Sequence, residues 1–233
     1  MSLNDEITKD LLGRGATMVG FADLTGLDPA ARRGYDRAVS VAVAVDRKVL
    51  IGIKQGPTAE YVTEYIRVNA LLDELDRRCA GLLRAAGYRA LERTRDSVPV
   101  DEATRRTELP YKTVATRAGL GWIGKCALLI NERYGGALRL SVVLTDAPFE
   151  SAEPVSASRC GECDVCTRGC PAQAVTGQEW RVGMEREELF NAFACYDKQQ
   201  ELNAGLDVKV NLCGKCIVLC PWSRSYLDGL VAR

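Results

Sequence analysis

Eight cysteines crowd the last third of this 233-residue chain, at spacings that suit thiolate chemistry. The run C-G-E-C-D-V-C-T-R-G-C-P supplies Cys160, Cys163, Cys166 and Cys170 before Pro171. Cys195 stands alone, and C-G-K-C-I-V-L-C-P then supplies Cys213, Cys216 and Cys220 before Pro221. Two-residue gaps let three successive thiolates reach three corners of one iron-sulfur cube while the intervening N–H groups turn toward the sulfurs. The cysteine three residues further on points away and ligates the other cluster of a pair. Proline after it fixes φ and removes a donor, so the turn stops there. Read this way, one 4Fe-4S cluster is held by Cys160, Cys163, Cys166 and Cys220, and a second by Cys195, Cys213, Cys216 and Cys170. The stretch between Cys195 and Cys213 is an insertion that loops out and returns.

The first run matches the spacing of bacterial two-cluster ferredoxins letter for letter. Disulfides suit a small secreted protein, but the N-terminus MSLNDEITKDLLGRG carries acids and no apolar run, and the chain is long enough for an ordinary core. Structural zinc takes four ligands, usually from two separated pairs, and three cysteines at successive two-residue gaps suit it poorly. The sequence has no histidine, which excludes Rieske-type ligation and any imidazole base.

Composition fits a cytoplasmic, enzyme-sized protein: 47% hydrophobic residues and 31 charges of each sign allow one full core and a smaller second one. A net charge of zero advertises no nucleic-acid surface. No apolar stretch approaches the roughly 20 residues that span a bilayer, so no membrane is expected as a partner. Reduced thiolates suit a reducing compartment.

The elements that must position the cysteines can be read along the chain. A helix is predicted from Asn4 to Arg14, with Ile7 and Leu11 on one face, then strands over Thr17 to Phe21, Ser40 to Val45 and Val49 to Ile53. From Thr58 to Ala86, Tyr61, Tyr65, Val68, Leu72, Leu75, Cys79 and Leu82 recur at helical steps, with Thr58 as N-cap and Gly87 as terminator. Cys79 lies on that stripe as a small core residue. Leu128 to Ile130 and Leu138 to Thr145 read as strands joined in a hairpin through N-E-R-Y-G-G. The Pro- and Ser-containing stretch from Ala147 to Ser158 is the expected crossing between domains 1–150 and 151–233. Met184 to Phe193 reads as a helix turning Leu189 and Phe193 toward the clusters.

A second informative tract runs E-L-P-Y-K-T-V-A-T-R-A-G-L-G-W-I-G-K-C-A-L-L-I-N from Glu108 to Asn131. Gly119, Gly121 and Gly124 satisfy G-x-G-x-x-G, and with Lys125 nearly satisfy the P-loop pattern. Both matches have the wrong context, because a nucleotide fingerprint follows a strand and opens a helix. Here a helix over Tyr111 to Ala118 precedes the glycines and a strand follows them. Cys126 also stands where a P-loop needs a hydroxyl for magnesium. What the glycines offer is a backbone able to approach a large flat ligand, with Trp122 beside it and Lys125 as a nearby cation.

The string A-G-L-G-W-I-G-K from Ala118 to Lys125, followed by Leu128, Leu129 and Ile130, the two cysteine runs and a closing C-P-W at Trp222, resembles epoxyqueuosine reductase and its cobalamin-dependent relatives, among them the reductive dehalogenases. The isolated Cys195 fits as well, since that family places a lone cysteine between its runs. The resemblance implies an α+β chain: a nitroreductase-like α/β domain followed by a ferredoxin-like domain with two 4Fe-4S clusters. It further implies a base-off cobalamin reduced through the clusters, with Gly119, Gly121, Trp122, Gly124, Lys125 and Cys126 as cofactor contacts. The cofactor would carry the hard chemistry while the protein positions it and feeds it electrons. A proton donor is needed, and Asp96 in R-D-S-V-P matches the family's D-[ST]-x-P setting.

The chain departs from that pattern in three places. Extra residues lie between Pro99 and the glycines, which makes Tyr111 and Lys112 alternative proton donors. Cys126 stands where the family usually carries asparagine or another polar residue. The chain also ends at Arg233, soon after the last cluster motif, whereas epoxyqueuosine reductases continue into a helical-repeat region that helps hold transfer RNA. With zero net charge, this points away from transfer RNA and toward a small-molecule substrate, with reduced ferredoxin or flavodoxin as electron donor. Two rival readings are an electron carrier or delivery subunit without cobalamin, and a reductase that binds flavin.

Overall fold

The structure is a computed structural model and describes residues 2–206 and 210–230. Its first helix, α1 (Leu3–Gly13), begins in a reciprocal cap: the Ser2 hydroxyl accepts from Asp5 N at 3.2 Å, and Ser2 N donates to the Asp5 carboxylate at 3.1 Å. Strands β1 (Met18–Asp23) and β2 (Arg37–Ala44) follow, then α2 (Arg47–Gly52) and the long α3 (Ala59–Ala85). Next come β3 (Ala90–Arg93), α4 (Tyr111–Arg117), the two-residue strands β4 (Trp122–Ile123) and β5 (Leu129–Ile130), and β6 (Leu138–Thr145). The cysteine-bearing tail is mostly short helices: α5 (Val165–Arg168), α6 (Arg186–Leu189), α7 (Ala192–Asn203), α8 (Lys215–Leu219) and α9 (Arg224–Leu227). None of the described helices is long and apolar enough to cross a membrane.

Four strands form one sheet in the order β1-β2-β6-β3, with β1/β2 and β3/β6 antiparallel. Val39, Val41 and Val43 of β2 and Val143 of β6 pack with Ile7 and Leu11 of α1 and with Val68, Leu72, Leu75, Cys79 and Leu83 of α3. Cys79 is fully buried in this core, as its place on the apolar stripe predicts. Thr58 caps α3 through its hydroxyl, which accepts from Tyr61 N at 3.2 Å.

Three expectations are corrected. Val49 to Ile53 is not a strand but falls largely within α2, because the Asp46 carboxylate accepts from Lys48 N at 2.8 Å and starts a helix. The Leu128–Thr145 hairpin does not form: β5 pairs with β4 in a separate two-stranded sheet, and β6 lies between β2 and β3. The helix expected over Met184 to Phe193 breaks at Phe190, whose backbone is extended, and α7 restarts with Asn191 accepting from Ala194 N at 3.0 Å. Leu189 is buried, but Phe193 is 45% exposed.

By contact the chain groups into two compact units that are discontinuous in sequence, where the sequence suggested a single crossing near residue 150. One comprises Met1–Val43, Val68–Leu120 and Arg139–Val155; the other comprises Ala44–Arg67, Gly121–Leu138 and Ser156–Arg233. Within the second unit, hydrogen bonds tie the tail to the earlier segments. Tyr226 donates its hydroxyl to Val45 O at 2.8 Å, Lys215 Nζ donates to Lys54 O at 2.8 Å, and Gly136 N donates to Ser223 Oγ at 3.1 Å.

In the first unit one carboxyl stands out. Asp76 of α3 is fully buried, accepts from Ser141 Oγ at 2.7 Å, and its other oxygen has no partner among the described residues. Burial pushes its pKa up to about 8. Between the unfolded value of 3.8 and about 8, the native state keeps a proton that the unfolded state has released, so stability falls as pH rises through that window. The slope from one such proton is about 1.4 kcal/mol per pH unit. Asp76→Asn removes that contribution, and denaturant titrations at pH 5, 6 and 7 should show the variant gaining on the parent by about this amount per unit. Parallel pH profiles would mean that Asp76 is already ionised in the fold.

Candidate metal centre

The cysteine runs fold as short turns capped by helices, because a thiolate every third residue leaves little room for regular structure. In the first run, Cys163 N donates to Cys160 O at 3.2 Å, and α5 then carries Cys166 to Gly169 and Cys170. In the second, Gly214 takes φ 73°, which lets the chain double back between Cys213 and Cys216. A Cβ there would sit 2.4 Å from Ile53 Cδ1.

Cys160, Cys163, Cys166 and Cys220 all line one cavity, whose remaining walls include Ile130, Pro221 and Trp222. This is the set assigned to the first cluster from spacing alone, with its fourth member drawn from the other run. Of the second set, burial raises the Cys195 thiol with Cys170 and Cys213 as charged neighbours, and raises Cys213 with Cys170 as one. All ten cysteines are free thiols. Among the described residues no three Cys, Asp or Glu side chains converge tightly enough to grip one bare ion.

Ser223 N donates to the Cys220 carbonyl at 3.0 Å, which shapes the turn after that cysteine. Hydrogen-bond donors already point at two of the sulfurs. Ala174 N donates to Cys170 Sγ at 3.4 Å and Gln199 Nε2 to Cys195 Sγ at 3.1 Å. Burial pushes the Cys220 thiol up to about 11, with the neighbouring Cys160 and Cys166 charges adding to it, and burial also raises Cys195 and Cys213. Such thiols ionise only where a cation compensates them, so metal loading releases protons. Four free thiols around one cavity, with N–H donors on two further sulfurs, are consistent with iron-sulfur ligation.

The glycine tract builds the wall beside this cavity. A Cβ on Gly121 would fall 2.1 Å from Ile130 O, and one on Gly124 would fall 2.6 Å from Ile130 Cγ1 and 3.5 Å from Cys160 Sγ. Trp122 is 1% exposed and meets Trp222 edge-on at 4.9 Å, with Arg159 over its ring at 5.5 Å. Lys125 is buried and donates Nζ to Gly161 O at 2.7 Å, which pins the loop between Cys160 and Cys163. Residues 121–127 are thus buried by the protein's own atoms, while Gly119 is exposed with φ 68°. Cys126 lines the cavity with Cys160, Cys163, Cys166 and Cys220.

Of the predicted proton donors, Asp96 lies in the 3-10 turn Arg95–Ser97, and its side chain falls outside the described residues. Tyr111 opens α4 and donates its hydroxyl to Arg93 O at 2.8 Å. Burial, with the charge of Asp76 adding, pushes the phenol up to about 12. Lys112 follows it, half-buried. Sequence reasoning missed Gln199 as a sulfur donor, although its place four residues after Cys195 in a helix was the available signal.

No family profile matches the chain. The fold is that of the reductive dehalogenases and epoxyqueuosine reductases. A catabolic reductive dehalogenase in complex with 3-bromo-4-hydroxybenzoic acid superposes with a TM-score of 0.69 at 19% identity, covering 90% of this chain and 30% of that one. A reductive dehalogenase described in terms of B12-dependent dehalogenation gives 0.66 at 19% identity, with the same coverage of 90% and 30%. Epoxyqueuosine reductase from Streptococcus thermophilus gives 0.65 at 20% identity, covering 96% and 67%.

In sequence the chain is similar to the epoxyqueuosine reductases. It is 32% identical to that of Listeria monocytogenes over 122 residues, 51% of this chain and 31% of the relative. Against the Synechococcus sp. (strain RCC307) enzyme it is 30% identical over 208 residues, 88% of this chain and 62% of the relative. The chain therefore spans between 31% and 62% of the length of these two curated relatives.

Proposed function

We propose that the protein is an iron-sulfur reductase that passes single electrons through two 4Fe-4S clusters to a second cofactor, cobalamin, for reduction of a small molecule. The observation that carries this reading is the convergence of Cys160, Cys163 and Cys166 with Cys220, from the far run, on one cavity. Clusters bound there would carry single electrons at potentials within the roughly −700 to +450 mV that iron-sulfur clusters span. The chain's own contribution is to fix the thiolates, hold N–H donors on their sulfurs, and keep the site dry with Ile130, Pro221 and Trp222. Lys125 holds the Cys160–Cys163 loop by its bond to Gly161.

Cobalamin is supported by similarity: one structural neighbour is described in terms of B12-dependent dehalogenation. Of the tract assigned to cofactor contact, Gly119 is exposed, with the space of a Cβ bounded by Ala152 Cβ at 3.1 Å, whereas Gly121, Trp122, Gly124, Lys125 and Cys126 are committed to internal packing. Proton delivery belongs to Asp96 or to the Tyr111–Lys112 pair, and Tyr111 must first release Arg93 O. Reduced ferredoxin or flavodoxin is the proposed donor. The same internal packing favours a second reading, an electron-delivery protein without cobalamin.

Anaerobic reconstitution should yield about eight iron and eight acid-labile sulfide per chain. Stoichiometric zinc without sulfide would sink the cluster reading. Hydroxocobalamin added to the loaded protein separates the two functional readings, since a shift of its visible spectrum to the base-off form supports the reductase and an unchanged spectrum supports the carrier. Yellow colour surviving desalting would replace cobalamin with flavin.

A further inference from the structure

Arg93, on β3, is a buried cation that the fold pairs poorly. It stands opposite Val142 of β6, while the next residue, Val143, packs on α3, so the Arg93 side chain leaves the sheet on the face turned away from that helix. There it is 3% exposed, and its Nε and Nη1 have no hydrogen-bond partner among the described residues. Its Nη2 donates to Leu109 O at a long 3.3 Å. Buried charges are as a rule closely paired, because nothing else offsets the loss of their water. The carboxylate that Arg93 faces, Glu108, stops 3.9 Å from Nη1, beyond hydrogen-bond reach. The same oxygen, Oε2, makes its closer contact with Arg33 Nε, at 3.1 Å. Arg33 takes φ 51°, a conformation that residues with a side chain seldom adopt. Burial, with the charge of Arg33 adding, pulls the Arg93 guanidinium below its ordinary pKa. Two guanidinium groups thus share one oxygen, and the carboxylate that carries it is exposed, just before the chain dips into the core at Leu109.

We propose that Arg33 and Arg93 form a receptor for the carboxylate of a small-molecule ligand, in which Glu108 is the resident occupant that the ligand displaces. The planar donors of arginine match the two oxygens of a carboxylate. A free carboxylate can close to hydrogen-bond distance of Nη1, whereas Glu108 is tethered through Leu109, whose carbonyl the same guanidinium already holds. Glu108 leaves by rotation of its own exposed side chain, so no backbone bond has to break. One ion pair replaces another, and no proton moves. The site adjoins a candidate proton donor, since the Tyr111 hydroxyl donates to Arg93 O at 2.8 Å. For the reductase proposed above, this gives the substrate a carboxylate; that the ligand is the substrate rests on that reading, and the binding site itself does not.

The test titrates the full chain, reconstituted anaerobically, with acetate and with acetamide as its uncharged isostere, at constant ionic strength. Affinity is read from the rise of the denaturation midpoint with ligand concentration. In Glu108→Gln the occupant is gone, and acetate should bind about tenfold more tightly than in the parent, as follows if Glu108 fills the site about nine-tenths of the time. Arg93→Met should lose the acetate effect, and it should fold at least as stably as the parent, because a poorly paired buried charge is exchanged for an apolar side chain. Acetamide should leave all three midpoints unmoved. Acetate affinity in Glu108→Gln within twofold of the parent's would overturn the displacement, and because that position is exposed, this arm decides even if the core variant fails to fold. An acetate effect that persists in Arg93→Met, or that acetamide matches, would overturn the receptor. Iron assayed on the same samples separates this from the reductase reading: a parent that loads no iron while Glu108→Gln shows the gain keeps the carboxylate site and loses the reductase, and a loaded parent without the gain does the reverse.

Discussion

Replacing Cys170 with serine should halve the iron content, from about eight to about four per chain, and the four that disappear should be those held by Cys195, Cys213 and Cys216. Local reasoning suggests the opposite, because Cys170 follows Cys166 closely and precedes them only at a distance. Two observations favour the crossing: the raised Cys195 and Cys213 thiols both have Cys170 as a charged neighbour, and the fourth thiol at the Cys160, Cys163 and Cys166 cavity is Cys220. Two short helices make the exchange: α5 leads into Cys170, α8 leads into Cys220, and they meet so closely that a Cβ on Gly169 would lie 2.4 Å from Leu219 Cδ1. Each run thus delivers its last cysteine beside the other run's ligands. A serine oxygen is a harder and poorer ligand for an iron-sulfur cube than a thiolate. Cys220→Ser is the mirror experiment and should remove the other four irons. Electron paramagnetic resonance of the dithionite-reduced variants identifies which cluster survives, and survival of the Cys195 cluster in Cys170→Ser would refute the crossing.

The pattern from which the crossing is proposed is legible in the sequence because cluster ligation is a local code: the spacing that brings three thiolates to one cube also turns the fourth away. The same holds for α3, where Thr58, the apolar stripe through Cys79, and Gly87 each reported their own neighbourhood. What the sequence hid was set at long range or by an overlooked polar residue. The strand expected at Val49 to Ile53 is an apolar run whose type periodicity alone does not fix, and Asp46 with its bond to Lys48 N decides for a helix. The N-cap at Asn191 was likewise visible, yet the apolar positions of Leu189 and Phe193 outweighed it in the reading. β6 was misassigned to a hairpin because its partners, β2 and β3, come from elsewhere in the chain. The glycine tract announced a close approach correctly, but glycine does not say to what. Here the visitor at Gly121 and Gly124 is Ile130.

That close approach at Gly121 has the other large consequence. A methyl group at this position would lie 2.1 Å from Ile130 O and 3.0 Å from its carbonyl carbon, and both are backbone atoms that cannot swing aside. The pairing leaves little slack, because β4 and β5 pair at Trp122 with Ile130 and at Ile123 with Leu129, and Gly124 N donates to Leu128 O at 2.9 Å just beyond them. Gly121→Ala must therefore break the ribbon or displace it, a cost at the exceptional end of single substitutions, above about 4 kcal/mol. The damage should reach the iron. The turn that closes this ribbon carries Lys125, whose bond to Gly161 holds the Cys160 loop, and Ile130 walls the same cavity. Loss of the first cluster is thus expected together with a lowered denaturation midpoint, both read from the visible absorbance of the reconstituted protein during a denaturant titration. Gly52→Ala is the control. It lies at the exposed end of α2 with nothing within 4 Å of its added methyl, and should leave the iron untouched while changing stability by no more than about 1 kcal/mol, toward greater stability. If Gly121→Ala instead loads and unfolds like Gly52→Ala, the ribbon is not what fixes the cluster wall, and the role assigned to Lys125 fails with it.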